Sequence, residues 1–176
     1  EALNIALDER SRYLRRMVIK TLASGKRAHL GSAMSIMEII RVLYDEYLNI
    51  DPTNISISGN SAGGHLVTLL MDRLWPVEKG LPADVISTGC AISGLYDLEP
   101  VRQSTKNKIL CISEDDVRMY SPIHNVPSEA GELLFIVGGN ETEEFLFQQL
   151  EINESWSAAG LKSFATVVPN RNHIDI

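Results

Sequence analysis

The sequence is poor in three features that would each point to a class of protein. It has two cysteines, Cys90 and Cys111, too few for a disulfide scaffold or, by themselves, a zinc site. No apolar run approaches the ~20 residues that a membrane-spanning helix needs, and no signal-peptide pattern opens the chain. Lysine and arginine total 16 against 23 acidic residues, so a formal charge of -7 offers nucleic acid no positive field. We therefore expect a soluble, cytoplasmic protein that binds neither membranes nor nucleic acid.

The chain does contain enough apolar sequence for a packed core. Its 176 residues are 44% hydrophobic and 22% charged, which suits one domain or slightly more. Apolar residues at helical spacing predict a helix within residues 3–22, ended by Gly25. An S-x-x-E capping box at Ser35 begins a second helix, which ends at Asp51 and Pro52. These patterns predict a helical segment over residues 1–51 and a second domain over residues 52–176.

Beyond residue 54 the pattern changes to short strands that alternate with helices. Strands are predicted at residues 55–58, 85–93, 133–138 and 163–168. Helices are predicted at residues 65–75, with four leucines on one side (Leu66, Leu69, Leu70 and Leu74), and at residues 143–159. A loop joins the second and third strands. Strands and helices in this order are typical of a parallel α/β sheet, the predicted fold class.

A G-x-S-x-G motif, with Ser61 at its centre, lies between the first strand and the helix after it. This context is typical of a nucleophile held on a strained turn. We expect a side chain at Gly59 or Gly63 to collide with the neighbouring strand or helix. The backbone N–H of Ala62, at the positive end of the helix, would be an oxyanion donor. The alternative is a glycine-rich turn that binds a phosphate or nothing.

A serine nucleophile needs a base, and the base needs an orienting acid. His173 follows the last strand, at the sheet edge where ligands bind to parallel sheets, and is the candidate base. Its alternative is a solvated histidine near the end of the chain. For His65, on the helix behind Ser61, we expect a structural hydrogen bond, and His124 is predicted to lie in a loop.

The candidate acid is Glu141, which follows the third strand at the same edge of the sheet. Asp97, after the second strand, competes for this role. Glu143 and Glu144 are more simply first-turn residues that stabilise a helix N-terminus. A serine, an acid and a histidine in this chain order match the order in α/β-hydrolases.

Five segments of the second domain carry a resemblance to a known family. They read SGNSAGGHL at residues 58–66, ISGLYDLEP at 92–100, YSP at 120–122, GGNETEEF at 138–145 and HID at 173–175. Residues 54–176 thereby resemble the C-terminal part of an α/β-hydrolase of the esterase and arylformamidase (kynurenine formamidase-like) type. The resemblance implies nucleophile Ser61, acid Glu141 and base His173. It implies hydrolysis of small carboxylic esters or aryl formamides through an acyl-enzyme, with no cofactor or metal.

Residues 12–54 carry a different resemblance. The strings RRMV at 15–18, HLGSAMS at 29–35, EII at 38–40, LY at 43–44 and LNIDP at 48–52 resemble the N-terminal helices of transketolase. His29 matches a position that this family uses near thiamine diphosphate. The family's G-D-G cofactor motif is missing, so we expect no thiamine chemistry. The two resemblances predict a chimera with a crossover within residues 51–54.

A fusion of this kind affects the expected mechanism. The hydrolase-like part lacks the earlier strands and the H-G-G-x-W-type loop that supplies a second oxyanion donor in that family. An incomplete sheet would expose an apolar edge, so we expect a homo-oligomer. The alternative to a weakly active hydrolase is a non-catalytic remnant or interaction module that keeps the three candidate residues.

Overall fold

The computed structural model describes residues 8–24, 55–72, 75–78 and 80–176 of the chain. The backbone divides into two compact units, Glu1–Ile50 and Asp51–Ile176. Over the described ranges, no helix combines the length and the apolar character that crossing a bilayer requires.

Helix α1 (Glu9–Ser24) is the described element of the first unit. The Asp8 carboxylate accepts the N–H of Ser11 at 2.8 Å, which satisfies a free donor of the first turn and caps the helix. The helix runs to the residue before the predicted stop at Gly25. That glycine, residues 3–7 of the predicted helix, and the predicted helix from Ser35 lie outside the described residues.

Four strands and six helices are described in the second unit. The strands are β1 (Ile55–Asn60), β2 (Ile86–Ile92), β3 (Glu132–Gly138) and β4 (Ser163–Val168). The helices are α2 (Ala62–Asp72), α3 (Trp75–Glu78), α4 (Glu99–Gln103), α5 (Asn107–Leu110), α6 (Glu114–Tyr120) and α7 (Glu143–Ala158). A 3₁₀ turn, Pro122–His124, follows α6.

The strands form one parallel sheet in the order β1-β2-β3-β4. In register, Ile57 lies opposite Gly89, Gly89 opposite Leu133, and Leu133 opposite Ser163. Because the strands are parallel and adjacent in chain order, all four end at one edge, here called the carboxyl edge. The predicted parallel α/β fold is confirmed.

One core lies on the face of the sheet that α2 and α7 cover. Its fully buried members include Leu133 and Phe135 of β3 and Ile152 and Trp156 of α7. The Phe135 ring meets those of Tyr96 and Trp156 edge-on, with centroids 5.2 and 6.3 Å away. Edge-to-face contacts of this kind add about 0.5–1.5 kcal/mol each to the burial of the rings. The core thus fixes α7, and with it the segment before α7, against the sheet.

The structure corrects the prediction for the turn and helix after β1. The strand continues through Asn60 and α2 begins at Ala62, so the expected turn over residues 59–64 shrinks to Ser61. The leucines on one side of this helix do not form its buried face, because Leu66 and Leu70 are 57% and 44% exposed. Leu74 lies outside the described residues. The residues that α2 buries are Gly64, Val67, Thr68, Met71 and Asp72. Small residues on this face let the helix approach the end of β2 closely.

The segment between β2 and β3 is not the predicted loop, since it holds α4, α5 and α6. Its clearest local signal is a capping box at the start of α6. Ser113 Oγ accepts the N–H of Asp116 at 3.1 Å, and the Asp116 carboxylate accepts the N–H of Ser113 at 2.9 Å. This reciprocal pair satisfies two backbone donors at the helix start.

Strand β4 forms one edge of the described sheet and is largely exposed. Phe164 and Val167 have 60% and 49% of their surface open to solvent. An apolar edge strand can pair with another chain. The homo-oligomer stays a prediction.

Candidate active site

Ser61 occupies the tight turn between β1 and α2. Its φ of 57° lies in the left-handed region, which is strained for a residue with a side chain. The N–H of Ser61 donates to the Ile92 carbonyl at 2.8 Å, and its carbonyl accepts the N–H of His65 at 3.1 Å. The turn is therefore tied to β2 on one side and to the first turn of α2 on the other.

The glycines around Ser61 differ in what they permit. A Cβ at Gly59 would lie 2.5 Å from the Gly63 carbonyl carbon and oxygen, so the expected collision there is present. The expected collision at Gly63 is wrong, because an added Cβ at that position meets nothing within 4 Å. The second restricted position is Gly64, where a Cβ would lie 2.8 Å from the Ile92 carbonyl oxygen.

The structure brings Ser61, His173 and Glu141 into one hydrogen-bonded relay. His173 Nε2 lies 2.9 Å from Ser61 Oγ, and His173 Nδ1 lies 2.7 Å from Glu141 Oε2. An ionised carboxylate only accepts hydrogen bonds, so Nδ1 carries the imidazole proton. Nε2 then has its lone pair free for the Ser61 hydroxyl proton, which is the arrangement that general-base catalysis needs.

The Glu141 carboxylate is buried and receives donors on both oxygens. Ser93 Oγ donates to Oε1 at 2.5 Å, and the N–H of Gly138 donates to the same oxygen at 2.8 Å. The side chain of Glu141 is 0% exposed, against 30% for that of His173. Burial raises the pKa of the Glu141 carboxyl, but the hydrogen bonds from Ser93, Gly138 and His173 lower it more, so this pKa lies below its ordinary value. The carboxylate therefore stays ionised beside the imidazole.

Ser93 is a residue of this network that the sequence analysis did not single out. It directly follows β2, as Ser61 follows β1 and Glu141 comes soon after β3. A polar residue at the carboxyl end of a parallel strand was the available signal.

Phe145, from the first turn of α7, packs against the base. Its ring centroid lies 4.7 Å from that of His173, with the planes tilted by 42°. The imidazole is thus held by an apolar ring as well as by the Glu141 carboxylate.

The side chains of the other described candidates take no part in the relay. His65 Nε2 lies 2.7 Å from the Tyr120 carbonyl oxygen, which bears out the expected structural hydrogen bond. Asp97 Oδ1 accepts the N–H of Glu99 at 2.8 Å, and Glu143 and Glu144 lie in the first turn of α7. Ala62 is the first residue of α2, next to Ser61. The remaining two histidines are His124, in the 3₁₀ turn, and His29, which lies outside the described residues.

Within residues 8–24, 55–72, 75–78 and 80–176, no group of three or more His, Cys, Asp or Glu side chains is placed to hold a metal ion. Cys90 and Cys111 are both free thiols.

A groove of about 720 Å³ lies at the end of the sheet where the strands begin, opposite the carboxyl edge. Its walls come from the segments before β2, β3 and β4, including Asp84, Glu129 and Lys162. Because the serine, the carboxylate and the histidine all follow strand ends, this groove is separate from the hydrogen-bonded relay.

The fold and the order of these residues define a class. A serine on a strand-to-helix turn, then an acid, then a histidine, gathered at the carboxyl edge of a parallel sheet, is the α/β-hydrolase arrangement. The second unit is an α/β-hydrolase-like segment.

Comparison with particular proteins agrees with this class. The chain is similar to kynurenine formamidase of Salmo salar, with 28% identity over 130 residues, which are 70% of this chain and 44% of that protein. It is similar to the crystal structure of an esterase/lipase from an uncultured bacterium, with a TM-score of 0.57 and 24% identity, covering 77% of this chain and 48% of that one. It is also similar to EstE5, from a crystal soaked with p-nitrophenyl butyrate, with a TM-score of 0.57 and 26% identity, covering 77% of this chain and 49% of that one. No protein-family model matches the chain.

The chain spans less than half the length of each of these three proteins. None of the three is a transketolase, so the resemblance of residues 12–54 and the fusion both stay predictions. The cytoplasmic location likewise stays a prediction.

Proposed function

We propose that the protein is a serine hydrolase that cleaves small carboxylic esters or aryl formamides through an acyl-enzyme on Ser61. The observation that carries the proposal is the continuous hydrogen-bonded relay from Ser61 Oγ through His173 to Glu141. A hydroxyl is a weak nucleophile by itself, and an adjacent base oriented by a carboxylate is the common way to activate it.

Acylation begins when Ser61 Oγ attacks the substrate carbonyl carbon. His173 Nε2 takes the hydroxyl proton, and the carbonyl oxygen becomes an oxyanion. The N–H of Ala62 donates to that oxyanion, which also lies near the positive end of the α2 dipole. The intermediate collapses when His173 passes its proton to the alcohol or amine that leaves, and the acyl group stays on Ser61.

Deacylation repeats these steps with water as the nucleophile. His173 takes a proton from water, the resulting hydroxide attacks the acyl carbon, and Ser61 leaves with the proton from His173. The buried Glu141 carboxylate stabilises the imidazolium in both halves of the cycle. The products are a carboxylic acid, or formic acid from a formamide, and the alcohol or amine.

The substrate class rests on the similar proteins. One is a kynurenine formamidase, and another comes from a crystal soaked with an aryl butyrate ester. Both substrate types place a small acyl group on an aryl oxygen or nitrogen, and His173 would protonate the group that leaves. Because this chain spans less than half of each of those proteins, a non-catalytic interaction module is the alternative.

Covalent labelling with a fluorophosphonate probe tests the proposal directly. The wild-type protein should react at Ser61, and Ser61→Ala should not. Ser58→Ala is the matched control, because Ser58 is an exposed serine on β1 outside the relay and its loss should leave labelling intact. Hydrolysis of p-nitrophenyl butyrate and N-formylkynurenine would then rank the two substrate types.

Two results would contradict the proposal. If folded wild-type protein neither labels nor hydrolyses either substrate, the relay does not activate Ser61 and the interaction module becomes the better hypothesis. Labelling that persists in Ser61→Ala would place the nucleophile elsewhere.

A further inference from the structure

Ser93 is held in a costly conformation at the end of β2. It is 2% exposed, and its φ of 48° places a residue with a side chain in the left-handed region. Its N–H donates to the Ile136 carbonyl at 2.7 Å, so the neighbouring strand fixes its backbone. Strained residues that persist beside a candidate site are candidates for a role in that site.

The hydroxyl of Ser93 and the imidazole of His173 each contact a different oxygen of the Glu141 carboxylate. Ser93 Oγ donates to Oε1 together with the Gly138 N–H, and the other oxygen, Oε2, faces His173 Nδ1. Two donors on one oxygen fix the rotation of the carboxylate about its last bond. The second oxygen is thereby aimed at the imidazole.

We infer that Ser93 is a positioning residue, which orients and keeps ionised the Glu141 carboxylate and through it aligns His173 toward Ser61. The inference rests on the proposed function, since the role of the relay is to activate Ser61. Ser93 acts through Glu141 and not on the substrate.

The charges around Glu141 set the direction of the expected effect. The hydrogen bond from Ser93 is among the contacts that hold the Glu141 pKa down. The other titratable groups that interact with this carboxylate are His173, after β4, and Tyr96, in the segment after β2. Without the Ser93 donor, Oε1 keeps only the hydrogen bond from the Gly138 N–H, so the carboxylate is less firmly oriented. The Glu141 carboxyl is then easier to protonate, and its pKa rises.

Ser93→Ala and Ser93→Gly test this inference together. Both remove the hydroxyl, but glycine also relieves the left-handed strain, so Ser93→Gly should fold at least as well as the wild type. Loss of a hydrogen bond to a charged group of the relay is expected to slow the reaction by about tenfold or more. We therefore expect kcat to fall by that factor in both variants while KM stays unchanged. Because the Glu141 carboxyl is then protonated at higher pH, the acid limb of the kcat/KM profile should move to higher pH.

Ser121→Ala is the matched control. Ser121 is another fully buried serine, and its Oγ accepts the N–H of Leu98 at 2.9 Å, away from the carboxylate. Its loss should lower the free energy of unfolding but leave kcat and the pH profile unchanged.

NMR of the His173 imidazole separates failure of this inference from failure of the proposed function. The Nδ1–H resonance, assigned by its loss in His173→Gln, reports the hydrogen bond to Glu141 whether or not the protein hydrolyses a substrate. A resonance that moves upfield or broadens in both Ser93 variants supports the positioning role even in a protein without activity. An unchanged resonance in folded variants would overturn that role, whatever the outcome of the labelling experiment.

Discussion

Gly63 and Gly64 are adjacent in α2, but replacing each of them with alanine should change the stability of the protein in opposite directions. A Cβ at Gly64 would lie 2.8 Å from the Ile92 carbonyl oxygen and 2.9 Å from Gly94 Cα. Both neighbours are backbone atoms that cannot rotate away. Helix α2 would have to move out by about half an ångström to restore ordinary contact distances in a close-packed interior.

The size of the two effects follows from these contacts. Overpacking of this kind costs about 1–3 kcal/mol, so Gly64→Ala should lower the free energy of unfolding by that amount. A Cβ at Gly63 meets nothing within 4 Å, and alanine is a better helix former than glycine. Gly63→Ala should therefore raise stability by up to about 1 kcal/mol.

Urea unfolding of both variants, followed by circular dichroism, measures the difference. The movement of α2 in Gly64→Ala also strains the 2.8 Å bond from the Ser61 N–H to the Ile92 carbonyl, so probe labelling should fall in this variant. Equal stabilities, or a more stable Gly64→Ala, would refute the packing that places α2 against the end of β2.

Three further changes have expected outcomes. Ser61→Gly should raise the free energy of unfolding by about 1 kcal/mol in urea by relieving the left-handed strain, while Ser61→Ala, which keeps that strain, should not. Because folding lowers the pKa of Glu141, the ionised carboxylate stabilises the protein at pH values above the unfolded-state pKa. The free energy of unfolding should exceed that of Glu141→Gln there, and the difference should vanish as the pH falls through the lowered pKa. Trp156 is 0% exposed, so Trp156→Ala should lower the free energy of unfolding by about 3–5 kcal/mol. Trp156→Phe should lower it by less, and the same urea titration measures both.

The strands were predictable because each is a short segment rich in β-branched or other apolar residues, alternating with serine in β1 and continuous in β3, and bounded by turn residues. Strand β4, predicted over residues 163–168, spans Ser163–Val168, and the other strands lie within one or two residues of their predicted limits. The buried face of α2 was not predictable from leucine content. Gly64 faces the end of β2, where the helix passes too close to the Ile92 carbonyl for a side chain, and only the packing reveals that distance.

The site was predictable where chain order and strand position agreed. Ser61, Glu141 and His173 follow three different strands, and a parallel sheet must bring the ends of those strands to one edge. Ser93 was missed because serine after a strand is common, and the sequence does not show which donor reaches a given carboxylate. That contact depends on the left-handed turn at Ser93, which no local pattern in the sequence encodes.

The backbone beyond each strand explains how four loops can hold one relay. The N–H of Ser61 donates to Ile92, that of Ser93 to Ile136, and that of Gly139 to Val168, so three strands extend their pairing one residue past the sheet. Ser61 belongs to the relay, Ser93 donates to Glu141, and Gly139 lies two residues before Glu141. Each acceptor belongs to the neighbouring strand. A displacement of one strand end therefore reaches the next through a backbone hydrogen bond, not through a flexible side chain. Because this coupling lies within the sheet itself, the precision of the Ser61–His173–Glu141 geometry depends on the register of the four strands.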